Sequence, residues 1–417
     1  MNEFNHLERK HAIMSISASG RWLACPASID ATKKMRMHDF DDPLFRKVSE
    51  ELCDETSKVY SERSFKSATD GTMAHEMSEK ILRELIETNS IDAIKTFDDT
   101  TGKSDEYLDA LKHSYGYAEY CHSLMQGASI FGVEEFLDVS NVIPEGFGTC
   151  DFFCVTDDTL HIVDLKYGRR LVSSTNNSQM MLYAIGVIKL AEDKKGKAFV
   201  DAIKKVSLHI YQPRIKNVSI YVLDIEELLD WAFNIVKPIA QDIHKGLMSE
   251  KFNAGEHCCY CPARHLCDAR YDRVLGKFKE IKGDELDMVN VDKIDEALGL
   301  AGELATFLKD IKTVGMSCVK AGHKFNSVKL ITGRHKRSFK DEKAVSKILE
   351  NEGFMPEDFY KLQSVATIEK LLGAKRFRQL LLDQGNICSE PHEPQLVRRD
   401  ERRYERATEL GSDFFEE

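Results

Sequence analysis

The feature that most constrains the fold is a set of three short, strand-like segments in the middle of the chain. Apolar residues recur from Val133 to Val139, and again from Gly148 to Val155 after a turn at Pro144–Gly146. The Asp157-Asp158 pair predicts a tight hairpin turn into a third strand, Thr159 to Leu165. Segments joined this closely are expected to be neighbours in one sheet.

Helical segments surround these strands. A helix is predicted to start near Asp70-Gly71-Thr72 and to continue through HEMSEKILRELIE, where apolar residues have helical spacing, and a second covers about 104–126. After the three strands come a helix at 177–192, a strand at 206–212 and a helix at 225–247. This α–βββ–α–β order predicts an α/β fold with a mixed central sheet flanked by helices.

The remainder of the chain predicts a second region. At 417 residues the chain is too long for one simple core. Residues 285–322 and 341–383 have helical patterns, 327–339 predict a basic strand or hairpin, and a charged tail begins at Glu390. We therefore expect a core domain over 1–275 and a mainly helical C-terminal region over 276–417.

The pattern that carries chemistry lies at the end of the third strand. Asp164 and Lys166 are one residue apart, so their side chains are expected on the same face of the sheet. Asp151 lies on the neighbouring strand, where cross-strand pairing can bring its carboxylate near Asp164. Partly buried charges need compensation, and Mg²⁺ or Mn²⁺ bound by carboxylates supplies it. Such a site hydrolyses phosphodiesters, with the lysine orienting water or neutralising charge. The open alternative is a plain surface ion pair between Asp164 and Lys166.

Two helical pairs strengthen this interpretation. His75 and Glu79 lie one turn apart on the first helix, so both can face the sheet as a ligand and its orienting partner. Gln179 and Tyr183 have the same spacing on the helix that follows Lys166. Each pair taken alone is equally compatible with ordinary polar residues on an interior helix face.

A third carboxylate is expected on the first strand. We place Glu135 in the catalytic set, because it lies on the strand that precedes Asp151. Glu134 is expected to point to the opposite face.

The combined motifs resemble a known enzyme class, the RecB-like branch of the PD-(D/E)XK nucleases. The resemblance covers about residues 15–270, and the motifs that carry it are Gly71-x3-His75-x3-Glu79, Gly148-x2-Asp151, Asp164-x-Lys166 and Gln179-x3-Tyr183. The whole chain also looks like an uncharacterised family of phage and prophage proteins with the same core. The elements shared with that family are Trp22-Leu23-Ala24-Cys25-Pro26, Asp164-Leu165-Lys166-Tyr167-Gly168 and Gln395-Leu396-Val397.

The resemblance implies a restriction-endonuclease-like core and a role for each matching residue. The implied metal ligands are His75, Asp151, Asp164 and the backbone carbonyl of Leu165, with Lys166 as the catalytic lysine. Gln179 and Tyr183 are implied to contact DNA, and we expect Arg169 and Arg170 to begin the basic groove that leads to them.

The cysteines predict a second metal site. Eleven cysteines are many for a chain without signs of secretion, and three of them form the pattern Cys258-x2-Cys261-x5-Cys267. They can hold zinc with a histidine as the fourth ligand, the candidates being His257 and His265. They can also hold a [4Fe-4S] cluster if Cys25 supplies the fourth thiolate.

One early cysteine and three late ones is also the arrangement of iron–sulfur nucleases in bacterial recombination and CRISPR spacer acquisition. This similarity favours the [4Fe-4S] cluster, as a structural staple, over Zn²⁺ or unliganded thiols. Cys259 is expected to lie outside the ligand set. The other cysteines are expected to be small core residues, namely Cys53, Cys121, Cys150, Cys154, Cys318 and Cys388.

These observations predict a Mg²⁺- or Mn²⁺-dependent deoxyribonuclease, with DNA as its partner. The resemblance implies an exonuclease that resects DNA ends in phage recombination or replication, working beside a phage single-strand annealing or single-strand binding protein. The alternatives are a structure-specific endonuclease, a non-catalytic DNA-binding or scaffold protein that keeps the nuclease fold, and a zinc-dependent adaptor. The net charge of −11 does not exclude DNA, because the local field at a groove decides binding.

The location expected for such a protein is the cytosol, which for a phage-encoded protein is that of the bacterial host. No hydrophobic run is long enough to span a bilayer, and the first residues lack the apolar segment of a signal peptide. No membrane partner is therefore expected, and the oligomeric state is left open.

Overall fold

The structure is a computed structural model that describes residues 12–59, 64–94, 97, 104–282, 291–331, 335–359, 363–391 and 395–398. The chain divides into two compact units, Met1–Asp310 and Ile311–Glu417. The first unit is an α/β arrangement with a mixed five-stranded sheet flanked by helices, which confirms the predicted fold class at that level.

Five helices precede the sheet. They are α1 Ser19–Ala24, α2 Ser28–Arg36, α3 Pro43–Val59, α4 Ser64–Thr88 and α5 Asp105–Leu124. Trp22 on α1 is completely buried, and its indole N–H donates to the Ser15 carbonyl at 3.0 Å. The N-terminus of α5 is capped by the Ser104 hydroxyl, which accepts a hydrogen bond from the Tyr107 amide. The body of the predicted helix through residue 87 and the helix at about 104–126 are confirmed, but the predicted start near Asp70 is wrong, because α4 already begins at Ser64. Helices α1 to α3 were not predicted.

The central sheet has the strand order β1-β2-β3-β4-β5. Its strands are β1 Ile130–Asp138, β2 Phe147–Thr156, β3 Thr159–Leu165, β4 Lys205–Gln212 and β5 Asn217–Asp224. The β3–β4 pair is parallel and the other three pairs are antiparallel. The first four strands are predicted to within a few residues, whereas β5 was not predicted.

Helix α6, Ser178–Lys195, makes the crossover between β3 and β4 and packs on one face of the sheet. Helix α7 follows at Lys197–Ala202, and beyond β5 a helical stretch comprises α8 Ile225–Asp230, a π-helical turn and α9 Lys237–His244. Apolar residues of α6 and α8 form one core with this face of the sheet. Helices α4 and α5 form a second core on the opposite face, so the sheet is covered on both sides.

The first unit continues with two 3₁₀ turns, Glu256–Tyr260 and Pro262–Leu266, and with α10, Asp268–Lys282. Helix α11, Val291–Lys320, extends into the second unit and confirms the predicted helix there. Among the described residues, no helix has both the length and the apolar character needed to cross a membrane.

In its described residues, the second unit contains the end of α11, four further α-helices and two small sheets. Its elements are β6 Val328–Ile331, β7 His335–Phe339, α12 Glu342–Asn351, α13 Pro356–Phe359, α14 Val365–Leu372, α15 Ala374–Phe377, β8 Ile387–Pro391 and β9 Gln395–Arg398. Of the two alternatives predicted for 327–339, strand is confirmed and a hairpin is wrong, because β6 pairs with β9 and β7 pairs with β8. The tail beyond residue 398 lies outside the described residues.

Gly132 on β1 offers a test of how closely the sheet is packed. A Cβ atom at this position would lie 2.4 Å from a ring carbon of Phe153, which is completely buried and cannot move aside. We expect Gly132→Ala to lower the free energy of unfolding by about 2 kcal/mol, through overpacking. The matched control is Gly71→Ala on α4, where no atom lies within 4 Å of the new Cβ.

The measurement is urea unfolding followed by tryptophan fluorescence, because Trp22 and Trp231, the only two tryptophans, both lie in the first unit. Gly71→Ala should leave stability unchanged or raise it by about 0.5 kcal/mol, since alanine favours helix. Equal midpoints for Gly132→Ala and the unmodified protein would contradict the packing.

Candidate active site and cysteine cluster

Charged residues converge where β3 ends. The carboxylate of Asp164 is almost fully buried, with 3% of its side chain exposed, and its Oδ2 atom lies 2.7 Å from Nζ of Lys166. The two side chains share a face, as their spacing predicts. Lys166 is 31% exposed, so the ion pair has a buried carboxylate and an ammonium that reaches solvent.

Asp151 is connected to the same point from β2. Its Oδ2 atom accepts a hydrogen bond from the Leu165 amide at 2.7 Å, which ties the carboxylate to the end of β3. The side chain is largely buried. The predicted cross-strand approach of Asp151 to the Asp164–Lys166 pair is therefore present.

Helix α4 supplies His75 but not Glu79. Nδ1 of His75 lies 3.4 Å from Oδ2 of Asp151, and its ring is 34% exposed. Glu79 instead pairs with Arg83 on the same helix, at 2.9 Å, and Arg83 donates to the Val133 carbonyl. The expectation that Glu79 orients a ligand in this site is wrong, because Arg83 holds its carboxylate.

The third carboxylate is Glu134, and the placement of Glu135 in this set is corrected. The β1–β2 register pairs Val133 with Phe152 and Glu135 with Cys150, so Glu134 is level with Asp151. Directly opposed residues on antiparallel strands share a face. Oε1 of Glu134 accordingly lies 3.8 Å from Nδ1 of His75.

Glu135 lies on the face of the sheet that α6 covers, away from α4 and His75. It forms an ion pair with Lys194 of α6 at 3.1 Å. Cys150, which opposes it on β2, belongs to the core that α6 covers. Glu134 can be identified from the β1–β2 register, which places it opposite Asp151, but not from alternation along β1.

Glu134 also has a strained backbone. Its φ is +47°, the left-handed region that residues other than glycine rarely adopt. Such a conformation costs about 1–3 kcal/mol and is concentrated at functional sites. Around this position the ladder is irregular, and Val133 and Leu137, four residues apart on one strand, belong to the cores on opposite faces of the sheet.

The donor set fits a hard divalent cation. Among the described residues, His75, Glu134 and Asp151 are the one group of three potential ligands whose donor atoms all lie within 4.8 Å of one another. One imidazole nitrogen and two carboxylates suit Mn²⁺ or Mg²⁺, which keep further positions for water and substrate. Asp164 is close enough to change the pKa of both His75 and Asp151.

The pKa values of His75 and Asp151 also favour a bound cation at this cluster. Burial raises the pKa of Asp151 and the charge of Asp164 raises it further, to about 7, against the opposing charge of His75. Burial alone lowers the pKa of His75, but the nearby carboxylates of Glu134 and the two aspartates outweigh it and raise that pKa to about 9. The cluster therefore has an excess of negative charge that attracts a proton or a cation.

Gln179 and Tyr183 complete the site from α6. The Gln179 amide donates to Oδ1 of Asp164 at 3.1 Å and accepts from Nζ of Lys166 at 3.3 Å. It also donates to the Tyr183 hydroxyl at 3.2 Å. Both side chains project to the site, as their spacing predicts, and one amide fixes the positions of the buried carboxylate and the lysine.

The segment between Lys166 and α6 is held by a buried residue that the sequence analysis missed. Gln212, the last residue of β4, is completely buried. Its amide donates to the Arg170 carbonyl and accepts from the Val172 amide, both at 2.9 Å. These two bonds to the backbone fix the path of the chain beside the candidate active site.

Arg170 and Arg169 lie on this segment, and both side chains are exposed. The guanidinium of Arg170 donates to the Tyr260 hydroxyl at 2.6 Å and lies 3.6 Å from Sγ of Cys259. Arg170 therefore links the active-site segment to the cysteine-rich turns. In the predicted basic segment 327–339, Arg334 and the side chains of 335–337 lie outside the described residues.

The four predicted thiol ligands lie together in space. One cavity is lined by Cys25, Cys258, Cys261 and Cys267. Burial raises the pKa of the Cys267 thiol, and the neighbouring thiols of Cys261 and Cys25 raise it further. Cys259, by contrast, faces Arg170, in agreement with its expected place outside the set.

Hydrogen bonds from the backbone reach this cluster. The Asn253 amide donates to Sγ of Cys25 at 3.4 Å, and the Gly255 amide donates to Sγ of Cys258 at 3.3 Å. Neither candidate histidine completes a zinc set in this geometry. His257 contacts the Asn253 carbonyl at 2.9 Å, and His265 lies 3.7 Å from the carboxylate of Asp310.

The distances between the four thiols can be compared with those in a zinc site. Within the described part of the chain, no three cysteine sulfurs lie within 4.8 Å of one another. Tetrahedral zinc with Zn–S bonds of about 2.3 Å would bring four sulfurs to about 3.8 Å from one another. The four thiols are therefore more widely spaced here than the sulfurs around a bound zinc ion.

Most of the other cysteines have the structural role expected of them. Cys121, Cys150 and Cys154 are completely buried and Cys318 nearly so, whereas Cys53 is partly exposed. The side chain of Cys388 lies outside the described residues.

A family model described as "Protein of unknown function (DUF2800)" matches residues 49–404, which is most of the chain. The chain belongs to this family. The DUF2800 match includes the residues of the candidate active site from His75 to Tyr183 and the thiols of Cys258, Cys261 and Cys267, and it begins after Cys25. A comparison with solved structures finds no match.

The raised pKa values predict that metal binding to this DUF2800 protein depends on pH. His75 is protonated below pH 9 and must lose that proton to bind a cation, so a higher pH favours binding. Below pH 7 a proton on Asp151 competes as well. We expect the affinity for Mn²⁺ to rise about tenfold per pH unit between about pH 7 and 8, and more steeply below pH 7.

Calorimetry in two buffers of different ionisation enthalpy measures both the affinity and the protons released. His75→Ala should bind Mn²⁺ more weakly and release one proton fewer, whereas His122→Ala, on α5 outside the cluster, should match the unmodified protein. An affinity that does not change with pH would contradict the assigned ligands.

Proposed function

We propose that this protein is a metal-dependent nuclease whose active site comprises His75, Glu134, Asp151, Asp164, Lys166 and Gln179. The observation that carries the proposal is the convergence of three metal-binding side chains with a buried carboxylate–lysine pair at the end of β3. The α/β fold with a mixed sheet is compatible with a nuclease-like core. A structural ion pair alone would not require the strained Glu134 or the buried excess of negative charge.

His75, Glu134 and Asp151 would hold the cation, with Asp164 and the Leu165 carbonyl as further donors. When bound, Mg²⁺ or Mn²⁺ stabilises charge on the scissile phosphate and lowers the pKa of water. Burial alone would lower the pKa of Lys166, but Asp164 outweighs it and raises that pKa, so this lysine stays an ammonium. Lys166 therefore donates to phosphate or orients water rather than removing a proton.

Gln179 keeps the site ordered before substrate arrives. Its amide contacts both Asp164 and Lys166, so the ammonium is held in place instead of sampling solvent. Catalytic groups fixed in advance lower the barrier more than mobile ones do. Burial raises the pKa of Tyr183, so its hydroxyl remains neutral and can donate to a backbone phosphate of the substrate.

The second part of the proposal is a [4Fe-4S] cluster held by Cys25, Cys258, Cys261 and Cys267. Four thiols line one cavity with wider spacing than zinc requires. The cluster would join the start of the chain to the end of the core, and its role would be structural. Through Arg170 and Tyr260 it would also support the segment beside Lys166.

Cleavage of DNA should depend on both Asp164 and Lys166. Asp164→Ala and Lys166→Met should slow cleavage of DNA at least about a thousandfold, which corresponds to about 4 kcal/mol of transition-state stabilisation. The matched control for Lys166 is Lys194→Met, which lies about four helical turns from Gln179 on α6 and should retain full activity. The measurement is single-turnover cleavage of labelled DNA with Mn²⁺, and full activity of Asp164→Ala would overturn the assignment.

A matched pair on β1 separates the two glutamates. Glu134→Ala should reduce the cleavage rate about a hundredfold, because it removes a metal ligand. Glu135→Ala should stay within about twofold of the unmodified protein, because its partner is Lys194. The reverse outcome would show that the β1–β2 register is wrong.

The mode of cleavage follows from a comparison of substrates. We propose an exonuclease on DNA ends, so linear end-labelled duplex should be degraded with Mn²⁺ while a covalently closed circle stays intact. Cleavage of the circle would indicate an endonuclease. Binding of DNA without cleavage of either substrate would indicate a non-catalytic protein.

The cysteine cluster makes a separate prediction. Protein purified without oxygen should be brown and contain about four iron and four sulfide per chain. Serine at Cys25, Cys258, Cys261 or Cys267 should remove the iron and lower the thermal midpoint, whereas Cys259→Ser, the matched control, should retain both. A colourless protein with one zinc per chain would contradict the proposal.

A further inference from the structure

The sheet of the first unit ends in an unprotected strand. Strand β5 is last in the strand order and pairs with β4 along its inner edge, from Asp224 opposite Lys205 to Asn217 opposite Gln212. Among the described residues, no backbone hydrogen bond reaches its outer edge. Exposed edges of this kind invite pairing with another strand, and proteins usually protect them with charge, proline or a bulge.

Within β5, the one such protection is the charge of Asp224, its last residue. Asn217 to Leu223 contains no charged residue and no proline, and its pairing with β4 is continuous. On one face, the side chains of Val218, Ile220 and Val222 form an apolar row. They are 43%, 54% and 51% exposed, respectively.

We propose that β5 pairs with β5 of a second copy of this chain, antiparallel and centred on Ile220. In that register Ile220 faces its own equivalent, and Val218 of each copy faces Val222 of the other. Directly opposed residues share a face, so the two apolar rows lie side by side and form one continuous patch of six side chains. The strand is thus complementary to itself about a twofold axis, which is the requirement for a symmetric dimer.

Charge fits the same register. Counting outward from Ile220, Lys216 of one copy is opposite Asp224 of the other, and the symmetry repeats this pair. Both side chains are exposed, and neither has an ion pair among the described residues. A shift of the register by two residues would place either Lys216 opposite Val222 or Asp224 opposite Val218, so the charges at the ends of β5 favour pairing about Ile220.

The twofold axis would bring the two candidate active sites near each other. Asp164 is aligned with Ile210 on β4, which is aligned with Ser219 on β5, one residue from the axis. Five strand spacings of about 4.8 Å separate the two β3 strands, so the two Asp164 residues would be about 24 Å apart. The dimer itself does not depend on the proposed nuclease activity.

The test is sedimentation equilibrium of the full chain from about 1 to 100 µM, a range suited to an interface of this small size. We expect a monomer–dimer equilibrium. Lys216→Asp alone, and Asp224→Lys alone, should weaken association at least about tenfold, because each places like charges opposite one another. The double variant Lys216→Asp/Asp224→Lys restores opposite charges and should dimerise within about threefold of the unmodified chain.

The charge exchange separates this surface from a general loss of folding, since a misfolded single variant would not be rescued by the second change. The matched control is Lys195→Asp with Asp193→Lys, on the exposed end of α6, which should leave association unchanged. A chain that stays monomeric over the whole range would overturn the proposal. A dimer whose affinity does not respond to either single β5 variant would also overturn it.

Discussion

The carboxylates of Asp151 and Asp164 lie on adjacent strands with little access to water. Positive charges and hydrogen-bond donors from neighbouring elements have to offset their mutual repulsion. The surrounding structure is arranged to do so. Helix α4 brings His75 to Asp151, and the end of β3 turns the ammonium of Lys166 onto Asp164. Helix α6 adds the Gln179 amide, which bonds to both members of the latter pair. Because each compensating group comes from a different element, the site can form only when α4, the sheet and α6 are packed together.

The sequence predicts the middle of this assembly well and its edges poorly. Strands β2 and β3 are recoverable because the Asp157-Asp158 turn fixes where each one ends, and this also locates Asp151, Asp164 and Lys166. Glu134 is not recoverable from alternation alone, since its left-handed backbone and its register depend on the neighbouring strand. Strand β5 escapes prediction because its apolar residues are exposed rather than buried, and they carry no core signal.

Long-range pairing is the other limit. The basic segment after residue 327 was assigned correctly as strand, but β6 and β7 find their partners some fifty residues or more downstream, in β8 and β9. No local pattern states such a partner. The cysteines are the exception, because a metal site demands a fixed number of donors. Three thiols close in sequence therefore indicate that a fourth ligand must come from elsewhere, and Cys25 lies among them in space.

Gln212 gives the region a constraint of a different kind, on the length of the chain itself. Its buried amide is matched to the carbonyl of Arg170 and the amide of Val172, which lie between Lys166 and the start of α6. Inserting or deleting a single residue before Val172 would move these backbone groups away from the amide and leave its N–H group without a partner in the interior. Among relatives of this chain, the segment from Tyr167 to Val172 is therefore expected to tolerate substitution better than changes in length, unlike an ordinary surface loop.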